Sequence, residues 1–308
     1  MQLGIFAKTF QRPALEEVFQ AVASHGLAVV QFNFACAGLP SLPDAIEAAV
    51  LERIRRASTR HQVSIAAVSG TFNMIHPDPQ ERHDGLRRLG VVAAASARLG
   101  ASVLTLCTGT RDPENMWRAH PDNSAPESWQ ALTASMAEAL AIAENHQLIL
   151  GIEPEINNVV DSARQARRLL DEMKSPRLKI ILDPANLFTP GHPAAWRSTL
   201  EEAFDWLGGD IVLAHAKEVD QAGHAGNVPL GAGRLDWDDY LSRLGDAGFA
   251  GPLIMHGFEE REVSASAAFL KQKLDSTKLL RARGENSPKQ SSRFEPLNQG
   301  TSTGLKQP

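Results

Sequence analysis

GIEPEINNVVDSARQARRLLDEMKSPRLKIILDPANLF, residues Gly151–Phe188, reads as strand, loop, helix, loop and strand. The first strand, LILGIEPE, is an apolar run that ends in Glu153 and Glu155. Ser162 to Met173 has helical spacing, with Ala166, Leu169 and Leu170 on one side and arginines on the other. The second strand, LKIILD, ends in another carboxylate, Asp183, and Pro184 stops it. Two continuous apolar strands joined by a helix predict a βαβ unit in a parallel sheet covered on both faces. Both acids stand at the carboxyl ends of their strands. An ionised carboxylate buried there needs a partner, because leaving it unpaired costs several kcal/mol. A metal ion or a polar substrate would supply one.

The same alternation continues in both directions. Strands are expected at Leu3–Ala7, Leu27–Phe32, Val63–Val68, Ser102–Cys107, Leu148–Glu153, Leu178–Asp183, Ile211–Lys217 and Pro252–His256. Helices are expected at Ala14–His25, Leu42–Arg60, Gln80–Leu99, Ser128–His146, Ser162–Met173, Trp196–Leu207, Trp237–Ala247 (with Asp236 as its cap) and Ser264–Leu280. Eight strands alternating with eight helices point to a (β/α)₈ TIM barrel, a single α/β domain over residues 1–280. A doubly wound open sheet is the rival. It usually carries a glycine-rich phosphate turn after its first strand, where this chain has KTFQRP. The polar end, residues 284–308, lacks periodicity and is expected to be disordered.

Composition narrows the function. Of 308 residues, 43% are hydrophobic and 22% charged, as in an ordinary soluble globular protein. A net charge of −5 does not favour nucleic acid as a partner. Two cysteines without CxxC spacing, Cys36 and Cys107, argue against a disulfide framework or a cysteine–zinc site. No run reaches the roughly 18 apolar residues of a membrane span, and no basic leader precedes LGIFAKTF. A cytoplasmic location is expected.

Active sites of such barrels form at the carboxyl ends of the strands. Strand five offers Glu153 there, strand six Asp183, strand seven His215 and strand eight His256. Two carboxylates and two imidazoles suit one divalent ion such as Mn, Zn, Co or Fe better than Mg or Ca, which prefer all-oxygen sites. Taken alone, a carboxylate there is more often a helix cap or ion-pair partner, and a histidine more often a hydrogen-bonded packing residue; the set of four on consecutive strands is the signal. Asn73, His76, Arg111, Glu155, Asn186, Lys217 and Arg234 are the further polar groups near strand ends, and are candidates for substrate binding. Trp117, in the long loop after strand four, fits either a lid or plain packing.

At these residues the chain resembles the xylose isomerase-like TIM-barrel superfamily, often called sugar phosphate isomerases/epimerases. The resemblance covers about residues 1–275. It is carried by NMIHPD, LGASVLTLCTGTRDPENMW, GIEPEINNVV, IILDPANLF, LAHAKEVD and, most specifically, GAGRLDWDDYLSRLGDAGFAGPLIMHG. It implies one divalent metal held by Glu, Asp, His and Glu from strands five to eight. Glu153, Asp183 and His215 match the first three, and His256 stands where the second glutamate usually is. Asn186 replaces a histidine that many members have, which favours a one-metal site. Metal-dependent isomerisation or epimerisation of a sugar or related polyhydroxy-carbonyl substrate is therefore expected, by proton abstraction next to a metal-bound carbonyl. Glu153 and His256 are the candidate catalytic pair. A lyase or dehydratase on the same scaffold and a non-catalytic metabolite-binding barrel are the alternatives. The resemblance also allows a homo-oligomer.

Overall fold

All eight expected strands join one closed barrel in the computed structural model, which describes residues 1–188 and 195–282. The strands are β1 (Gln2–Phe6), β2 (Val29–Phe32), β3 (Ser64–Ser69), β4 (Val103–Cys107), β5 (Ile149–Glu153), β6 (Leu178–Leu182), β7 (Ile211–Ala216) and β8 (Pro252–Met255). Each pairs in parallel with the next, and β1 closes the ring on β8 with Leu3 opposite Leu253 and Gly4 opposite Ile254. The rival open sheet is thereby excluded, since closure leaves no edge strand. The expected tail, residues 284–308, lies outside the described residues.

The helices are α1 (Leu15–Ser24), α2 (Ala48–His61), α3 (Pro79–Leu99), α4 (Pro126–Asn145), α5 (Ala163–Met173), α6 (Trp196–Leu207), α7 (Trp237–Asp246) and α8 (Val263–Ala282). Their starts follow from capping. Asp78, Ser162 and Asp236 accept from the backbone N–H groups of Gln80, Gln165 and Asp239. In α5, Ala166, Leu169 and Leu170 are buried, as the spacing predicts, while Arg167 and Arg168 pair with Asp171 and Glu172 one turn on. The main boundary that differs is the start of α2, six residues later than Leu42. Pro40 and Pro43 favour extended backbone before them. Asp44 is drawn away to Arg87 and Arg88 of α3.

Two apolar layers result. The larger lies between strands and helices. The smaller fills the barrel and is built from Val29, Ala67, Val103, Ile181, Leu213 and Ile254, each from a different strand. Gly4 and Gly151 face the same plug. A Cβ on Gly4 would stand 2.7 Å from Ile254 Cδ1 and 2.8 Å from the Val29 carbonyl oxygen; on Gly151 it would stand 2.7 Å from Ile181 Cγ1. Close packing leaves no space there for a methyl group. Both cysteines are free. No described helix is long and apolar enough to cross a membrane.

Candidate active site

Side chains of a strand alternate between its two faces. Two residues beyond the plug, each strand therefore presents its next inward side chain: Phe6, Gln31, Ser69, Thr105, Glu153, Asp183, His215 and His256. Seven of these line a cavity of about 500 Å³ at the carboxyl ends of the strands. The eighth, Asp183, is completely buried beside it.

Asp183 is the hub. Its Oδ1 accepts from the Ala185 N–H at 3.0 Å, which starts the short 3₁₀ turn Pro184–Leu187. Its Oδ2 lies 3.0 Å from Lys217 Nζ, 3.1 Å from His256 Nε2 and 3.7 Å from His215 Nδ1. Nδ1 of His215 is also 3.3 Å from Glu153 Oε1. Asn186 links the two sides: its Nδ2 donates to Glu153 Oε1 at 2.6 Å, and its Oδ1 accepts from Lys217 Nζ. The rings of His215 and His256 meet edge-on, with centroids 4.4 Å apart.

Electrostatics follow from this crowding. Burial would raise the Asp183 pKa, but Lys217, His215 and His256 hold it well below the usual carboxylate range. Burial would lower His215, but Glu153 and Asp183 push it up to about 9. Lys217 is raised by the same carboxylates against the effect of burial, so it stays an ammonium. His256 is lowered by burial and by its neighbour His215, which leaves it neutral at pH 7. Glu155 is pushed up to about 8, first by burial and then by Glu153, and its Oε2 is buried without a hydrogen-bond partner.

The donor set fits a divalent cation. One ligand atom each from Asp183, His215 and His256 lie within 4.8 Å of one another. Glu153 stands outside that mutual set but touches His215. The two carboxylates that hold a proton on His215 Nδ1 make the same spot attractive to a metal ion, and neutral imidazole with carboxylate is a borderline ligand set.

The structure brings together Glu153, Glu155, Asp183, Asn186, His215, Lys217 and His256 of the residues expected from sequence. Four others stand outside the described lining of the cavity. Asn73 is a staple of the loop after β4: its Nδ2 donates to the Thr110 carbonyl at 2.8 Å, and its Oδ1 accepts from the Thr110 N–H at 3.0 Å. His76 is fixed by the Pro113 carbonyl and the Asp78 N–H. Arg111 donates to the Ile75 carbonyl and exposed Arg234 to that of Gln221. All four organise loops. Missed from sequence were Gln31, Ser69 and Thr105, polar residues inside apolar strands; stepping by two from the plug residues finds them. Trp117, about half exposed, lines the cavity with Met116 and Phe6.

A closed eight-stranded parallel barrel with carboxylates and imidazoles converging above its plug defines a TIM barrel with an enzyme-like site. The chain belongs to the xylose isomerase-like TIM barrel family, whose model matches residues 19–273. A ketose 3-epimerase of Arthrobacter globiformis is 28% identical over 107 residues, 35% of this chain and 33% of that protein. The matched stretch thus spans about a third of that relative's length. A solved L-ribulose 3-epimerase superposes with a TM-score of 0.72 at 16% identity, covering 96% of this chain and 100% of its own. The structure of an IOLI protein with a bound zinc atom superposes at 0.67, also at 16% identity, over 94% of this chain and 100% of its own. At such identities these structures carry the fold.

Proposed function

We propose that this barrel is a divalent-metal-dependent isomerase or epimerase of a sugar or related polyhydroxy-carbonyl compound. The observation that carries the reading is the convergence of Asp183, His215 and His256, with Glu153 against His215, on a cavity of sugar size. Asp183, His215 and His256 are the residues to hold the ion, with Glu153 beside them. When bound, such an ion polarises a carbonyl and acidifies the neighbouring C–H.

The chain's own groups do the rest. Oε1 of Glu153 is occupied by Asn186 and His215, so Oε2 is the atom to receive the proton from carbon. With His256 holding the ion, Glu155 is the group left to return one. Lys217, tied to Asp183 and Asn186, orients the site rather than moving protons. Phe6, Met116 and Trp117 give the C–H face an apolar wall. Return of the proton to the opposite face gives an epimer, and its transfer to the neighbouring carbon gives an isomer.

The test is incubation of the Mn²⁺-supplemented protein with a panel of free ketoses and aldoses in D₂O, followed by NMR. Deuterium at the carbon next to the carbonyl, with an epimer or isomer and with both lost in Glu153→Gln, is the expected result. Loss of a hydroxyl with formation of a deoxy-dicarbonyl product would move the reading to a dehydratase. No exchange and no product across the panel would contradict it.

A further inference from the structure

Within the apolar strand VVQF of β2, Gln31 is a buried amide, 5% exposed. It reaches across the barrel to a residue 184 positions away: His215 Nε2 and Gln31 Oε1 are 2.9 Å apart. On its other side, Gln31 Nε2 donates to the hydroxyls of Ser69 and Thr105 at 3.4 and 3.3 Å. These three side chains fill the part of the polar layer opposite the carboxylates. Nothing in the proton-transfer scheme uses them.

Their arrangement has a consequence for the ring of His215. A neutral imidazole binds a cation through one nitrogen and carries its proton on the other. Nδ1 faces Glu153 and Asp183, so it is the nitrogen available to an ion. Nε2 must then keep the hydrogen, and it needs an acceptor in a buried place. Gln31 Oε1 is at hydrogen-bond distance. The amide nitrogen is engaged by the Ser69 and Thr105 hydroxyls, which leaves Oε1 facing the ring.

We propose that Gln31 is the positioning residue of His215: it accepts the Nε2 hydrogen and so sets the tautomer and the ring plane that aim Nδ1 at the metal, with Ser69 and Thr105 locking the amide. This rests on the metal reading above. Partners of this kind typically change metal affinity by about 10–100-fold when removed. The amide also lines the cavity. A direct contact with substrate is therefore the competing role, and it would move KM for a sugar while leaving metal affinity alone.

The experiment is a titration of metal-stripped full-length protein with Zn²⁺ or Mn²⁺ by calorimetry, needing no substrate. Gln31→Met keeps the volume but removes the acceptor, and it should weaken binding by about 10–100-fold. Gln31→Glu keeps an acceptor at the same place, and Ser69 and Thr105 can turn their hydroxyls to donate to it. That variant should bind within about threefold of wild type or more tightly. The pair also separates the two amide orientations. If the amide nitrogen donated to His215, the glutamate would fail as badly as the methionine, and the proposal would be wrong. Should Gln31→Met not fold, the Ser69→Ala/Thr105→Val double variant retains Gln31 without its lock and should show a smaller loss. Unchanged affinity in both Gln31→Met and the double variant overturns the inference alone. A wild type that binds no divalent ion overturns the metal reading and this inference with it.

Discussion

Nε2 of His256 lies 3.1 Å from Oδ2 of Asp183, although 73 residues separate them. The contact spans from the end of β6 to the end of β8, with the ring of His215 beside it, 4.4 Å from that of His256 and 3.7 Å from Asp183 through Nδ1. A glutamate at the end of β8 would set two carboxylates face to face here. This chain sets a neutral imidazole against a carboxylate, so its site is less repulsive when empty.

His256→Glu should therefore destabilise the metal-free protein, by about 2–4 kcal/mol, because a second carboxylate is forced against buried Asp183. Added Mn²⁺ or Zn²⁺ should recover that loss. Urea denaturation of both proteins with and without metal checks it. The expected result is a larger metal-dependent rise in stability for the variant than for wild type.

Lys217 places a full positive charge 3.0 Å from Asp183. Lys217→Met should cost the metal-free protein about 3 kcal/mol, the low end for breaking a buried ion pair, because two imidazoles remain beside the carboxylate. Denaturant midpoints at neutral pH measure this. A loss below about 0.5 kcal/mol would mean that the pair contributes as little as a surface one.

Glu218 is buried, and its carboxylate organises the loop between β7 and α7. It accepts from the N–H groups of Val219, Gly231 and Leu235 at 3.0, 2.8 and 3.0 Å, and from the indole of Trp237 at 2.8 Å. Glu218→Ala would leave buried donors unsatisfied at about 1–3 kcal/mol each. A total loss of about 3 kcal/mol or more is expected, with Glu218→Gln intermediate because one of its two oxygens survives. Thermal denaturation of the two variants ranks them.

Asp210 joins β6 to α5 by ion pairs with Lys179 at 2.6 Å and Arg167 at 2.8 Å. Burial would raise its pKa, but these two cations hold it below the usual carboxylate range. A folded-state pKa below the unfolded value means stability that is fully present above about pH 4–5 and lost as pH falls through the folded value. Wild type should therefore exceed Asp210→Asn in stability at pH 7, by about 1 kcal/mol. The gap should close in strong acid. A gap that stays constant from neutral pH into strong acid would argue against the ion pairs as its source.

The barrel was legible because apolar runs such as VLTLC are buried on both faces, and because punctuation at Gly100, Pro184 and Asp236 matches real caps and stops. The four candidate metal ligands were legible for a related reason: a charged or imidazole group ending a buried strand has few other uses. Gln31, Ser69 and Thr105 were not, since a neutral polar residue in a strand carries no sign of which face it occupies until the plug residues beside it are known. Arg111 and Arg234 stand apart from the described cavity lining for the opposite reason. Their distance from a strand end in sequence is right for substrate contact, but the path of each loop turns their guanidinium groups onto backbone carbonyls, and that path depends on distant partners such as Asn73 and Glu218.

The central claim is that this cluster holds one divalent ion, and the metal content of the purified protein measures it directly. Wild type and His256→Ala would be desalted side by side and analysed by inductively coupled plasma mass spectrometry. The account predicts about one ion per chain in wild type and a clearly lower, easily stripped content in the variant. No bound metal in wild type, even after incubation with Mn²⁺, Zn²⁺ or Co²⁺, would contradict it.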